Sequence, residues 1–328
     1  MAVSAALRNL PGKGRVRRLG LPNASFFEED CSLDLPPFKP RSRHKNRSMA
    51  RTLATDLFRE MVSRPPEQID LAAAALLIAR DEYPGLNVSG YLERIDAFAE
   101  RTSTRLLFDA AERPMEAIES INYQLFEIEG FRGNQEDYYD PRNSFLNDVI
   151  DRKTGIPITL SLLYMEVGRR VGLKLEGVGM PGHFIVKCKQ HGVEILVDPF
   201  GRGEILLEEG CQRKLTQLHG KDFQFNRSCL DAVDRRQILT RMLHNLKGIY
   251  WNRQNYTKAL GIIEKVLLIN PTAAAEFRDR GFAHYQLRHL PSAIKDWSRY
   301  LELRPGASDA EEVAKNLKIA AQMLSSRN

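Results

Sequence analysis

The chain has 328 residues, 43% apolar and 27% charged, enough for two to three domains at about 150 residues each. Its longest apolar run, Leu71 to Ala79, is about half of the roughly 18 residues that a membrane span needs, and reads as a core helix. The net charge of +6 is local: residues 1–48 hold 10 basic and 4 acidic side chains, leaving 38 of each sign in 49–328, so the body of the chain gives no compositional case for nucleic acid.

Residues 1–48 mix Arg, Ser, Pro and Gly with little apolar periodicity and are expected to be a disordered basic tail. Met49 opens an amphipathic helix, MARTLATDLFREM, so translation from Met49 and translation from Met1 are both open. A transit peptide would be poor in acids, and Glu28-Glu29-Asp30 counts against a long one. The expected location is the cytoplasm, with the plastid stroma as the alternative if the tail is a transit peptide. The four cysteines, Cys31, Cys188, Cys211 and Cys229, show no CxxC spacing, which favours a reducing compartment over a disulfide framework.

From 49 to 130 the pattern is helical. An Ala-rich run stops at Tyr83-Pro84-Gly85. The next helix, from Val88, has Ser89 as candidate N-cap and Tyr91, Leu92, Ile95 and Phe98 at helical spacing. Pro114 starts a third, through Ala117, Ile118, Ile121 and Leu125. The loop from Gly130 to Asn147, rich in Gly, Asn, Asp and Tyr, is long enough to suggest function, while its Asn and Asp side chains also suit turn and helix capping. Tyr138, Tyr139 and Arg142 within it fit either loop packing or contact with an extended peptide.

The segment Gly155 to Gly172 predicts a helix that is apolar on most of its circumference, buried between layers, with Pro157 in its first turn and Glu166–Arg170 as an i,i+4 ion pair. Strands are expected near 173–179, 182–188 and 193–199, the last two joined by Gln190-His191-Gly192 as a hairpin. Towards the C-terminus, Ala259 and Ala293 stand 34 residues apart, as do Pro271 and Pro305. With Leu246, Tyr250 and Gly281 they fit the tetratricopeptide template. In the second unit the Leu and Tyr places hold Arg280 and His284. Asp309 to Leu324 is expected as a capping helix.

The stretches ALLIARDEYPGL, GFRGNQEDYYDPRNSFLNDVIDRKTGIPITLSLLYMEVGRRVGL, GVGMPGHFIVK and VDPFGRG together resemble the SirB-type transglutaminase-like family with C-terminal tetratricopeptide repeats, over about residues 50–310. The resemblance implies an α+β fold: a helical N-terminal bundle (49–130), a papain-like core with an antiparallel sheet (131–230), and α-α repeats (231–328). It also implies that His183 and Asp198 stand at the His and Asp places of an acyl-transfer site. Aligning the helix on Arg169 and Gly172 puts Pro157, or a close neighbour, where the nucleophilic Cys would stand.

A thiol acyl transferase needs a thiolate, a His to shuttle protons and a carboxylate to hold the His tautomer. Of these, His183 and Asp198 remain as a relic dyad. Ser161 lies one turn after Pro157 and is the alternative nucleophile, although such a Ser commonly bonds back to its own helix. Cys188 should point to the face of its strand opposite His183. Cys211 and Cys229 lie in a segment joining sheet to repeats, from which reaching His183 needs a fold-back. His183, Cys188 and His191 do not make a zinc set, and no P-loop pattern occurs. The expectation is therefore a non-catalytic module for protein or peptide partners, without cofactor, metal, nucleic acid or membrane. The alternative is a hydrolase or acyl transferase using His183 and Asp198 with Ser161 or a displaced Cys.

Overall fold

The computed structural model describes residues 48–190 and 192–326; the basic tail and His191 lie outside the described residues. The N-terminal region is helical. Helix α1 (Ser48–Ser63) leads to α2 (Leu71–Ala79), capped by Asp70, whose carboxylate accepts from the Ala73 N–H at 2.9 Å. All nine residues of α2 are buried. Helix α3 (Val88–Ser103) begins one residue before the Ser89 N-cap that the sequence suggests: Asn87 takes that role and accepts from the Gly90 N–H at 3.1 Å. Helix α4 (Pro114–Asn122) starts on Pro114 and widens into a π-turn over Tyr123–Ile128.

A parallel pair, β1 (Arg132–Gly133) with β2 (Thr154–Gly155), brackets the 131–155 segment and helix α5 (Leu146–Arg152). Helix α6 (Pro157–Arg170) buries every residue from Pro157 to Gly168. Its exposed end carries the expected ion pair, Arg170 Nη1 to Glu166 Oε2 at 2.6 Å, joined by Arg169 at 3.0 Å. Then comes an antiparallel sheet of β3 (Leu175–Val178), β4 (Ile185–Gln190), β5 (Val193–Asp198), β6 (Glu204–Leu206) and β7 (Ala232–Val233), in the order β6-β5-β4-β3-β7.

Alternation along the strands sorts their side chains into two cores. Phe184, Val186, Cys188, Ile195 and Val197 share a cluster with α6. Val178, Ile185, Leu196 and Leu206 face the other way, onto Cys211 and Leu215 of helix α7 (Glu208–His219). The sequence pattern predicts only a segment joining sheet to repeats around Cys211 and Cys229, whereas α7 folds back and covers the second sheet face. Only Gly210, Cys211 and Leu215 of its twelve residues are buried, too thin a stripe to stand out as periodicity.

The repeats comprise α8 (Arg235–Asn252), α9 (Tyr256–Ile269), α10 (Ala274–Gln286) and α11 (Leu290–Leu303), with α12 (Ala310–Ser325) behind them. Leu246, Tyr250 and Ala259 of the first unit belong to the same cluster as α2 and α6, so this unit shares the main core. The second unit packs its own cluster around Phe282, Trp297 and Tyr300. Gly281 is required there, because a Cβ would lie 2.5 Å from Trp297 Cδ1. Arg280, in the Leu place, is matched by Asp296 through two bonds of 2.7 Å.

Candidate functional site

His183 follows the turn Met180-Pro181-Gly182. Gly182 has φ +68, which a glycine adopts without strain, and the His183 N–H closes the turn on the Met180 carbonyl at 3.1 Å. Asp198 ends β5. Its Oδ1 accepts from the N–H groups of Phe200 (3.0 Å) and Gly201 (3.2 Å), which fixes the turn that follows. Its Oδ2 lies 2.9 Å from His183 Nε2 and 3.0 Å from Lys214 Nζ. The lysine comes from α7 and also meets Glu204 at 2.8 Å.

Both site residues are buried, His183 to 8% exposure and Asp198 to 1%. Burial pushes the Asp198 pKa up, but His183 and Lys214 outweigh it and hold the carboxyl below its ordinary value. Burial likewise disfavours the Lys214 ammonium, yet Glu204 and Asp198 leave its pKa raised. An ionised carboxylate only accepts, so Nε2 is the nitrogen that donates to Asp198. The ring edge meets Phe200 at 6.0 Å between centroids; Phe200 in turn packs against Tyr138 (6.3 Å) and Gly133, where a Cβ would lie 2.6 Å from the ring.

The start of α6 offers no reacting group to that ring. Pro157 occupies its first turn. Thr159 Oγ1 donates to the Asn143 carbonyl at 2.8 Å and accepts from the Ile156 N–H at 3.1 Å, capping the helix. Ser161 is fully buried and its hydroxyl donates to the Phe184 carbonyl at 3.3 Å, across to the residue before β4 and not back along its own helix. Among the described residues, Asp198 is the one hydrogen-bond partner of the His183 ring.

Cys188 lies on the α6 side of the sheet, and burial with the nearby Glu176 pushes its thiol up to about 11. Cys211 reaches the neighbourhood because α7 folds back, but it is fully buried, and burial with the Asp198 charge also takes it to about 11. Both thiols are protonated at neutral pH, the unreactive form. Among the described residues no three His, Cys, Asp or Glu side chains cluster as metal ligands, and His191 lies outside them.

Two contributors have no signal in the sequence pattern. Arg241 of α8 donates to the carbonyls of Met180 and His183, both at 2.7 Å, so the repeats hold the histidine turn directly. Burial pushes its pKa down. Lys214, from the unforeseen helix α7, is the other. Tyr138 packs on Tyr139 (5.4 Å) and Phe200, with its hydroxyl pushed up to about 12 by burial, while Arg142 is engaged by Asp140.

Comparison with known sequences adds a family to this geometry. Residues 89–244 match the transglutaminase-like superfamily, and 246–318 match the tetratricopeptide repeat. A UPF0162 protein of Xylella fastidiosa strain Temecula1 is 35% identical over 272 residues, 82% of this chain and 96% of the relative. The chain belongs to the UPF0162 family of SirB-type transglutaminase-like proteins. A further member, from Vibrio cholerae, is 33% identical over 183 residues, 56% of this chain and 67% of its own. The chain is also similar in part to the mouse F-box only protein 21, 34% identical over 147 residues, 42% of this chain but 22% of that protein. No solved structure matches. Among the described residues no helix is long and apolar enough to cross a membrane.

Proposed function

We propose that this UPF0162 protein is a non-catalytic interaction module that engages a protein or peptide through its transglutaminase-like groove and its tetratricopeptide repeats. The observation that carries the reading is the set of bonds around His183. Its ring is held by Asp198, while the hydroxyls at the start of α6 are committed to main-chain carbonyls and the Cys188 and Cys211 thiols are buried and protonated. An acyl transfer needs a nucleophile within about 3 Å of the base, and none stands there among the described residues. The stacked helices α8 to α12 provide the elongated surface on which such repeats take partners. Affinity capture with the full chain and with a chain cut after residue 270 tests this. That cut keeps the first unit, which shares the main core. Loss of partners on removing 271–328 is expected, and unchanged recovery counts against the repeats as the contact.

A second reading is favoured by one observation: the imidazole–carboxylate pair is complete, with the tautomer a general base requires. That reading is a hydrolase or acyl transferase in which Ser161 or a displaced Cys attacks. Labelling by a serine- or cysteine-directed acylating probe, lost in His183→Ala, would establish it. The interaction reading expects no His183-dependent labelling.

A further inference from the structure

Two segments of the family-like stretches play no part in the His183–Asp198 pair. Glu82-Tyr83, after α2, and Asp137 to Phe145, before α5, meet α8 and α9 around a cavity of about 380 Å³. That volume lies within the range of small-molecule sites. The wall carries three acids, Glu82, Asp137 and Asp140, and three bases, Arg142, Arg253 and Lys258.

Four of these six side chains cancel in pairs. Arg142 Nε lies 2.8 Å from Asp140 Oδ2, and Lys258 Nζ lies 2.7 Å from Glu82 Oε2. The other two do not. Arg253 donates to the Tyr139 carbonyl at 3.2 Å, a neutral acceptor. Asp137 bonds through its main chain, its N–H to Asn134 at 3.0 Å and its carbonyl to Asn143 at 2.7 Å, and its carboxylate meets no cation among the described residues. One guanidinium and one carboxylate, both at exposed positions, are thus left without an ion-pair partner among the described residues at the same cavity.

We propose that this cavity binds a small zwitterion, a free α-amino acid or a short peptide, with its carboxylate on Arg253 and its ammonium on Asp137. Tyr83, Phe145 and Tyr250 supply the apolar wall for its side chain. A simple anion would face Asp137 unfavourably and a simple cation would face Arg253. A ligand carrying both charges satisfies both. The site lies at the seam between core and first repeat and does not depend on the interaction reading, so either stands if the other fails.

Titration calorimetry on the full chain tests it, with leucine and leucyl-leucine as the two sources of the chemistry. Binding of one or both is expected, the stronger arm naming the source. N-acetyl-leucine and leucinamide, each lacking one charge, should bind at least about tenfold more weakly. Arg253→Gln and Asp137→Asn, both at exposed positions, should weaken the unblocked ligand by a similar factor. Absence of heat with both ligands overturns the proposal. So does equal binding of the blocked forms, unchanged affinity in the variants, or displacement of the ligand by inorganic phosphate at comparable concentration.

Discussion

The strand end and the helix start that face each other at His183 are built on different terms. At the strand end, Asp198 accepts from four donors: two main-chain N–H groups, the imidazole and an ammonium. It thereby closes a turn, fixes the His183 ring and anchors α7. At the helix start, Thr159 and Ser161 each tie α6 to a main-chain carbonyl elsewhere, and Pro157 pre-sets the first turn. The contrast separates groups a fold keeps for its own sake from groups it can lose. The His–Asp pair contributes to packing and charge balance whether or not it reacts, whereas a thiol at the helix start would supply no bond this architecture lacks.

Asp198→Ala attacks that contrast most directly. The change strands the buried ring N–H, leaves Lys214 with Glu204 alone, and takes the acceptor from the Phe200 and Gly201 N–H groups. A loss of about 3–5 kcal/mol is expected by denaturant unfolding, the usual scale for removing one partner of a buried pair. The sign with pH follows from the lowered carboxyl. Its stabilisation is fully present above the unfolded pKa of about 3.9 and is lost as pH falls through the lower folded value. Asp198→Ala should therefore flatten the acid limb of the stability profile. A loss below about 1 kcal/mol would show that the strand end is kept for chemistry and not for structure.

Much of this arrangement is legible in the sequence, for identifiable reasons. The long apolar helix α6 and the 34-residue spacing of Ala259 and Ala293 are patterns sustained over many residues, and such patterns resist misreading. The two-residue hairpin fixes the register Gln190 to Val193. Followed along the strands, it brings Asp198 beside the end of β4, two positions from His183. What the sequence hides is single and tertiary. Lys214 and Arg241 each sit on a helix among other charges and read as solvated, and only the fold shows that carbonyls and a carboxylate converge on them. The Ser161 hydroxyl is a similar case: its partner lies 23 residues away, just before β4.

Arg241→Met is the next largest perturbation and acts on the strand end from outside. It keeps most of the side-chain stem while taking the side-chain donor from the His183 carbonyl and leaving the Met180 carbonyl with only the His183 N–H. About 2 kcal/mol should be lost, as for hydrogen bonds to a charged group. The His183 ring resonances should broaden in NMR spectra as the turn loosens, and an unchanged ring signal would mean that Asp198 suffices alone. On the opposite side, Thr159→Val removes the hydroxyl that serves the Ile156 N–H and the Asn143 carbonyl, and about 1 kcal/mol is expected from lost capping.

Ser161→Ala should do least to stability and most to separate the two functional readings. Its hydroxyl makes one long bond, 3.3 Å, to the Phe184 carbonyl, so a loss of about 1 kcal/mol or less is expected from thermal unfolding. If that bond is all the hydroxyl does, the variant keeps every partner in affinity capture and the unaltered chain shows no reaction with a serine-directed probe. If instead Ser161 attacks, labelling must be present in the unaltered chain and vanish in Ser161→Ala and His183→Ala alike, because an alcohol with an ordinary high pKa depends on its base. A structural hydroxyl and a nucleophilic one thus differ in the probe experiment far more than in the melting curve. The substitution that disturbs the fold least therefore discriminates best between a helix start that only packs and one that still reacts.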